Sequence, residues 1–75
     1  MNEENSKIIW AYIQEAGDSL AGKLPPSRHH PNGRNPYAHV AICVKGKFGQ
    51  SYKEITDSKL QDVLDYIDYL VQNPS

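Results

Sequence analysis

Apolar residues recur at helical spacing in the first part of the chain. Successive members lie four, three and four residues apart, so they share one face of an α-helix: Ile9, Ile13, Ala16 and Leu20. A helix over about residues 5–21 is therefore predicted, with Asn5 or Ser6 as its N-cap. Trp10 lies beside this apolar stripe, and we expect it to flank the core rather than to form a platform for a ligand. Gly17 and Gly22 weaken the last turns and favour a stop near residue 21.

A second helix is predicted over residues 36–48, between two strong boundary signals. Asn35 can cap its first turn, and Pro36 occupies the first helical position, where the missing N–H group has no effect. Gly49 follows the last turn, as glycine commonly does at the C-terminal end of a helix. The apolar positions again have helical spacing: Tyr37, Val40, Ala41, Val44 and Phe48. The alternative is a strand over residues 39–44, which are rich in β-branched side chains, but the two boundary signals favour the helix.

The clearest helical pattern lies near the end of the printed sequence, over about residues 57–72. Thr56 or Asp57 is expected to cap this third helix. Its apolar face comprises Leu60, Val63, Leu64, Ile67, Leu70 and Val71. Its other side carries Asp62, Asp65 and Asp68, which we interpret as a solvated face; metal binding or acid–base chemistry is the alternative.

These three apolar stripes predict an all-α fold, a compact three-helix domain with a long Pro/Gly-rich loop between helices 1 and 2. The loop, residues 22–35, contains three prolines, two glycines and two asparagines, which exclude a continuous helix. A chain of 75 residues has room for one hydrophobic core, so residues 1–75 are predicted to be a single domain. The predicted core consists of Ile9, Ile13, Leu20, Val40, Val44, Phe48, Tyr52, Ile55, Leu60, Leu64 and Ile67.

The cysteine content and the ends of the sequence restrict the class of protein. The single cysteine, Cys43, excludes an internal disulfide and any site that needs several thiolates. We interpret it as a small core or near-core residue with no adjacent base to activate it. The acidic, polar N-terminus does not resemble a signal peptide, and no apolar run approaches the ~20 residues of a membrane span. A cytoplasmic location without membrane contact is therefore expected.

The net charge of −1 conceals a segregation of charge along the chain. Residues 19–53 contain six basic residues and no acid, whereas acids predominate on both sides of this segment. The basic residues are Lys23, Arg28, Arg34, Lys45, Lys47 and Lys53, and the three histidines, His29, His30 and His39, lie among them. Either the acidic flanks neutralise this segment in the folded protein, or the segment forms a basic surface that meets an anionic partner.

The most specific candidate site lies where the loop meets helix 2. Backbone N–H groups at the start of a helix lack partners within the helix and attract anions. Arg34 immediately precedes this start, and Gly33 would let the backbone approach a ligand closely. The predicted binding residues are Lys23, Arg28, His30, Arg34, Asn35, His39, Lys45 and Lys47. The alternative is an ordinary capped junction with an exposed arginine.

No catalytic residue, metal site or cofactor is predicted. The segment RHHPNGRN has a superficial likeness to nucleases that use paired histidines and an asparagine. It lacks the downstream metal-binding histidine and the flanking acid of those enzymes. The three histidines likewise have no cysteine or acid nearby to complete a set of metal ligands. We therefore do not expect this chain to be an enzyme.

Three segments carry a resemblance to a known family: NPYAHV, KGKFGQSYKEI and DSKLQDVLDYI. The stretch from Tyr37 to Leu70 resembles a small module of phage and prophage proteins, and is similar to the C-terminal part of phage antirepressor-type regulators. In those regulators a helix ends in a run like K-x-x-F-G-x-x-S-Y-K-x-I, although the join after the glycine is slightly shorter here. The matching positions are Tyr37, Phe48, Gly49, Ser51, Tyr52, Lys53 and Ile55. The resemblance implies a regulatory or accessory phage-type module in the host cytoplasm, and we expect no counterpart of the family's N-terminal DNA-binding or effector domain.

Two classes of function remain open. In the first, the chain binds nucleic acid by contacting phosphates through its basic 23–47 region. The acidic third helix would be repelled from DNA, so ordinary helix-turn-helix docking is not expected. In the second, the chain docks on an acidic host or phage protein, and the apolar surplus on helices 1 and 3 is compatible with a homodimer. The sequence pI of about 6.2 lies below the range typical of nucleic-acid-binding domains, so neither class of function is clearly favoured over the other.

Overall fold

The computed structural model describes residues 1–23 and 35–74, and within them it contains three α-helices and no strand. The helices are α1 (Glu3–Leu20), α2 (Pro36–Phe48) and α3 (Leu60–Gln72). Two short 3₁₀ turns, Tyr52–Glu54 and Asp57–Lys59, connect α2 to α3. The predicted all-α, three-helix fold is confirmed, and the second segment is a helix rather than a strand. Of the predicted loop, residues 24–34 lie outside the described residues.

Both ends of α2 form as the sequence predicts. The side-chain oxygen of Asn35 accepts hydrogen bonds from the N–H groups of Tyr37 and Ala38, at 3.0 and 3.2 Å. At the other end, Gly49 has a φ of 79°, and its N–H donates to the carbonyl of Lys45 at 2.8 Å. Glycine adopts this left-handed backbone without strain, so it ends the helix cleanly.

The start of α1 differs from the prediction. The helix begins at Glu3 and its N-cap is Asn2, whose side chain accepts a hydrogen bond from the N–H of Asn5 at 2.7 Å. Asn5 and Ser6, the predicted caps, therefore lie inside the first turns. This earlier start places Glu3 and Glu4 in the first turn, where their negative charges interact favourably with the positive end of the helix dipole.

The third helix begins later than predicted, and neither predicted cap residue caps it. The 3₁₀ turn Asp57–Lys59 precedes α3, and neither its start nor that of α3 has a side-chain cap hydrogen bond. The hydroxyl of Thr56 is 3.0 Å from that of Ser58. The carboxylate of Asp57 is directed instead towards the start of α1. Asp57, which the local sequence pattern predicted as the N-cap of α3, therefore forms a tertiary contact instead.

One hydrophobic core lies between the helices, and α1 packs against both α2 and α3. Its buried members are Ile9, Ile13, Ala16, Leu20, Val40, Val44, Ile55, Val63, Leu64, Ile67 and Leu70. Phe48, Tyr52 and Leu60 were predicted to be in this core, but they are only partly buried against it. Phe48 and Leu60 are terminal residues of α2 and α3, where one side of the ring or chain still meets solvent. Phe48→Ala should therefore cost less than the about 3–5 kcal/mol of a fully buried phenylalanine.

Hydrogen bonds fasten the start of α1 to the connector between α2 and α3. The terminal ammonium group donates to the backbone carbonyl of Lys53 at 3.0 Å and to that of Ile55. The carboxylate of Asp57 accepts from the N–H of Asn2 at 2.7 Å and from the side-chain amide of Asn5 at 3.0 Å. These two hydrogen bonds hold the pKa of Asp57 below its ordinary value. They join residues that are far apart in sequence and close this end of the bundle.

The last turns of α1 contact the start of α2 through a tyrosine ring. A Cβ atom at Gly17 would lie 2.3–2.9 Å from atoms of the Tyr37 ring, closer than side chains tolerate. The hydroxyl of Tyr37 donates a hydrogen bond to the carboxylate of Asp18, and this bond raises the pKa of Tyr37. Gly17, expected only to weaken α1, is therefore the position where an aromatic ring meets the helix backbone.

Gly17→Ala is expected to destabilise the domain, even though alanine is the better helix former by about 1 kcal/mol. The added methyl group would displace the Tyr37 ring and break its hydrogen bond to Asp18. Gly46→Ala is the matched control, because a Cβ there has nothing within 4 Å. It should stabilise α2 by up to about 1 kcal/mol. Chemical denaturation measures both; equal stabilisation by the two substitutions would show that the ring contact is not tight.

Asp57→Ala is expected to lower the melting temperature near neutral pH, because the start of α1 loses two hydrogen bonds. Since folding lowers the pKa of Asp57, its contribution is complete above the ordinary aspartate pKa and is lost as the pH falls through the folded value. The difference in melting temperature from wild type should therefore shrink in acid. Asp65→Ala is the control, because Asp65 bonds only Gln61 among the described residues, one turn away on α3. An equal, pH-independent effect of both substitutions would contradict the prediction.

Candidate partner-binding surface

The start of α2 was predicted to bind an anion through its free N–H groups, and the structure shows these groups already bonded. The side chain of Asn35 accepts from Tyr37 and Ala38, and its backbone carbonyl accepts from the N–H of His39 at 2.9 Å. The carboxylate of Asp18 is bonded to the Tyr37 hydroxyl close by and adds negative charge. Within the part of the chain that the structure describes, this junction is a capped helix start; Arg34, on which both interpretations depend, lies outside the described residues.

The remaining predicted binding residues are only partly described by the structure. Three of them lie outside the described residues: Arg28, His30 and Arg34. Lys23 is exposed just after α1, while Lys45 and Lys47 are exposed in the last turn of α2. Lys45 is ten residues beyond Asn35, a distance of about 15 Å along a helix. The anion site as a whole therefore stays a prediction.

Cys43 is half-buried and lies beside His39, one turn earlier on α2. Its Sγ atom is 3.7 Å from Nε2 and 3.8 Å from Nδ1 of that imidazole. The prediction that no base adjoins the thiol is therefore wrong, and the i, i+4 spacing of the two residues was the signal. No group of three His, Cys, Asp or Glu side chains able to hold a metal ion occurs within residues 1–23 and 35–74.

Three aromatic rings connect the end of α2 to α3. Tyr66 meets Phe48 edge to face, with ring centroids 6.0 Å apart, and stacks on Tyr69 at 6.1 Å. The ammonium group of Lys47 lies 5.9 Å from the centroid of Tyr66, within the range of a cation–π contact. Burial, followed by the charges of Cys43 and Tyr69, raises the pKa of Tyr66. Lys47 is thus placed against α3, the helix that carries the three aspartates.

A surface that the sequence analysis did not predict lies between α1, α2 and the first 3₁₀ turn. Tyr52 lines two grooves there, of about 270 and 250 Å³. The first is bounded by α1 and the turn, and includes Trp10, Lys7 and Lys53. The second is bounded by α2 and includes Ile42 and Lys45. We name this surface the basic apolar face and define it by Lys7, Trp10, Ile42, Lys45, Tyr52 and Lys53.

Exposed apolar side chains are the main feature of the basic apolar face. Ile42 is 67% exposed and Trp10 is 46% exposed, and the half-buried Tyr52 lines both grooves. Large apolar groups in contact with water mark interaction sites when they occur together. Both residues fall outside the apolar stripes of their helices, and that position was the signal for them in the sequence.

The charged groups of the same surface are mostly cationic. Lys7 forms an exposed ion pair with Glu3, at 3.7 Å within α1. Neither Lys45 nor Lys53 has a carboxylate within ion-pair distance among the residues that the structure describes. An exposed pair such as that of Lys7 contributes little and exchanges easily with other partners. The face therefore offers apolar grooves lined by three lysines, with the carboxylate of Glu3 as the one acid that the described residues contribute to their lining.

A groove of opposite charge lies on the other flank of α1, between α1 and α3. It has a volume of about 320 Å³ and an apolar floor that includes Ala16, Ile67 and Val71. Its charged groups are the exposed carboxylates of Glu15 and Asp68. We name this feature the acidic groove.

Comparison of the chain with models of protein families, with curated proteins and with solved structures finds no match. The resemblance of residues 37–70 to phage antirepressor-type regulators therefore stays a prediction. In the part of the chain that the structure describes, none of the helices has the length and apolar character that crossing a membrane requires.

Proposed function

We propose that this chain is a non-enzymatic protein-interaction module that docks on an acidic partner protein through the basic apolar face. The observation that carries the proposal is the position of two exposed apolar side chains, Trp10 and Ile42, in adjoining grooves that share Tyr52. Covering such groups removes them from water, which contributes roughly 25 cal/mol for each Å² of apolar surface. The lysines around the grooves select a partner that carries carboxylates and accelerate its approach.

The partner that fits this face presents apolar and acidic side chains together. A helix with leucine on one side and glutamate beside it has this chemistry, and helices commonly bind in apolar grooves between other helices. The resemblance to phage antirepressor-type regulators supports a host or phage protein as the partner, with this chain as an accessory or regulatory module in the host cytoplasm; the lysines of the face are the reason to expect an acidic partner. Affinity would come mainly from the apolar contacts, because exposed ion pairs contribute little.

Nucleic acid is the second candidate partner, and a specific observation favours its single-stranded form. Trp10 and Tyr52 line one groove with Lys53, and aromatic rings beside cations bind single strands by stacking on their bases. Duplex binding has less support. The N–H groups at the start of α2 are bonded to Asn35, and Lys47 lies against the acidic α3.

Three probes separate these functions: an amphipathic helical peptide of leucine and glutamate, a thymidine oligonucleotide and a duplex. Trp10 is the single tryptophan of the chain and lies in the face, so its fluorescence emission reports binding. The acidic peptide should shift this emission to shorter wavelength and saturate, whereas a peptide with lysine in place of glutamate should not. Oligonucleotide affinity should fall steeply with salt, by a slope of about −0.7 to −0.9 per phosphate contact. Binding of an oligonucleotide at physiological salt, without binding of the acidic peptide, would overturn the proposal.

Ile42→Ser is expected to weaken binding of the acidic peptide about tenfold, because a buried isoleucine contributes on the order of 1.5–3 kcal/mol and 1.4 kcal/mol is tenfold. The matched control is Tyr69→Ser, which removes another exposed large side chain, 57% exposed on α3 and outside the face. Fluorescence titration measures both affinities, and circular dichroism shows that both variants keep their helices. Equal affinities for wild type and Ile42→Ser would exclude this face as the peptide site.

A further inference from the structure

We infer that a second copy of this chain can occupy the basic apolar face, and that it docks there with its acidic groove. This inference rests on the basic apolar face of the proposed function and names one specific partner for it. The acidic groove has the chemistry that the face requires, an apolar floor with carboxylates beside it. The molecule therefore carries a surface and its complement on different flanks of α1.

Trp10 is the side chain that fits the groove of the other copy. It is 46% exposed and lies beside Lys7 and Lys53. The acidic groove, at about 320 Å³, falls within the size range of pockets that enclose small organic groups, roughly 300–1,000 Å³. An indole ring entering it would contact its apolar floor.

The charges on the two surfaces are arranged to match. Lys53 and Lys7 line the groove that contains Trp10, and Glu15 and Asp68 line the acidic groove. When the indole enters, the ammonium groups beside it come near the carboxylates of the other copy. Lys53 has no ion-pair partner within the described part of its own chain, so the new pair does not compete with an existing one.

This contact differs from the homodimer expected from the sequence. That dimer would join the apolar surplus of helices 1 and 3 in one copy to the same surface of the other. The proposed contact joins two different surfaces, so each added copy leaves one free face and one free groove. Heterologous contacts of this kind produce rings or open chains rather than symmetric dimers. Association should therefore increase with concentration and compete with binding of the acidic peptide.

A dilution series of the protein alone tests the inference. As the concentration rises, sedimentation velocity should show a growing mean mass, and Trp10 emission should move to shorter wavelength. Added salt should reverse part of both changes, because the pairing of charges is screened. Unchanged mass and emission into the millimolar range would overturn the inference, as would a dimer that saturates and is unaffected by charge reversal in the groove.

Charge reversal identifies the two surfaces. Asp68→Lys and Lys53→Glu should each weaken self-association about tenfold, because each places like charges opposite one another. The double variant Asp68→Lys/Lys53→Glu should restore self-association, because opposite charges then face each other again with their signs reversed. If the double variant self-associates no better than the single variants, the proposed docking is contradicted.

The same variants separate this inference from the proposed function. Asp68→Lys changes only the acidic groove, so binding of the acidic peptide to the basic apolar face should stay as in wild type. Lys53→Glu should weaken both peptide binding and self-association. If the wild-type chain binds the acidic peptide but never self-associates, the inference is overturned and the proposed function stands. If the wild-type chain self-associates but does not bind the acidic peptide, the proposed function is overturned.

Discussion

The burial of one apolar stripe of α1 against both other helices is the contact on which the rest of this structure depends. Ile9, Ile13 and Leu20 are completely buried, and α2 and α3 each pack more extensively against α1 than against one another. In so short a chain, removal of this stripe from water is the main source of stability. The hydrogen bonds of Asp57 at the start of α1 and the Tyr37 ring on Gly17 near its end hold the helix in this position.

The central position of α1 also explains why grooves of different character lie on its two flanks. One flank of α1 forms a groove with the first 3₁₀ turn, and the other flank forms a groove with α3. The 3₁₀ turn contributes Tyr52 and Lys53, and α3 contributes Asp68. The two flanks of α1 therefore differ in charge, with Lys7 and Lys53 on one and Glu15 and Asp68 on the other. Both the proposed partner and the proposed self-association follow from that arrangement.

The predicted anion site and the observed surface differ because charge along a chain does not specify charge at one place. Lys45 belongs to the predicted set and lines the basic apolar face, whereas Lys47, two residues later, points to the other side of α2 and lies over Tyr66. Lys7 and Lys53, which the site prediction did not include, come to the face from α1 and the 3₁₀ turn. Helical geometry turns neighbours in sequence to different sides, and packing brings distant residues together.

The sequence by itself determined the three helices, most of the core and both ends of α2. Apolar periodicity, an Asn-Pro start and a Gly stop act within one or two turns, so their effects can be seen locally. Tertiary structure alone decided the start of α3, the role of Gly17 and the grooves on the two flanks of α1. Asp57 could either cap its own helix or accept a hydrogen bond from Asn2. Asn2 comes within reach only after α1 has packed beside the connector between α2 and α3. Trp10 and Tyr52 are likewise brought to one surface only by the packing of the bundle, because forty-one residues separate them along the chain.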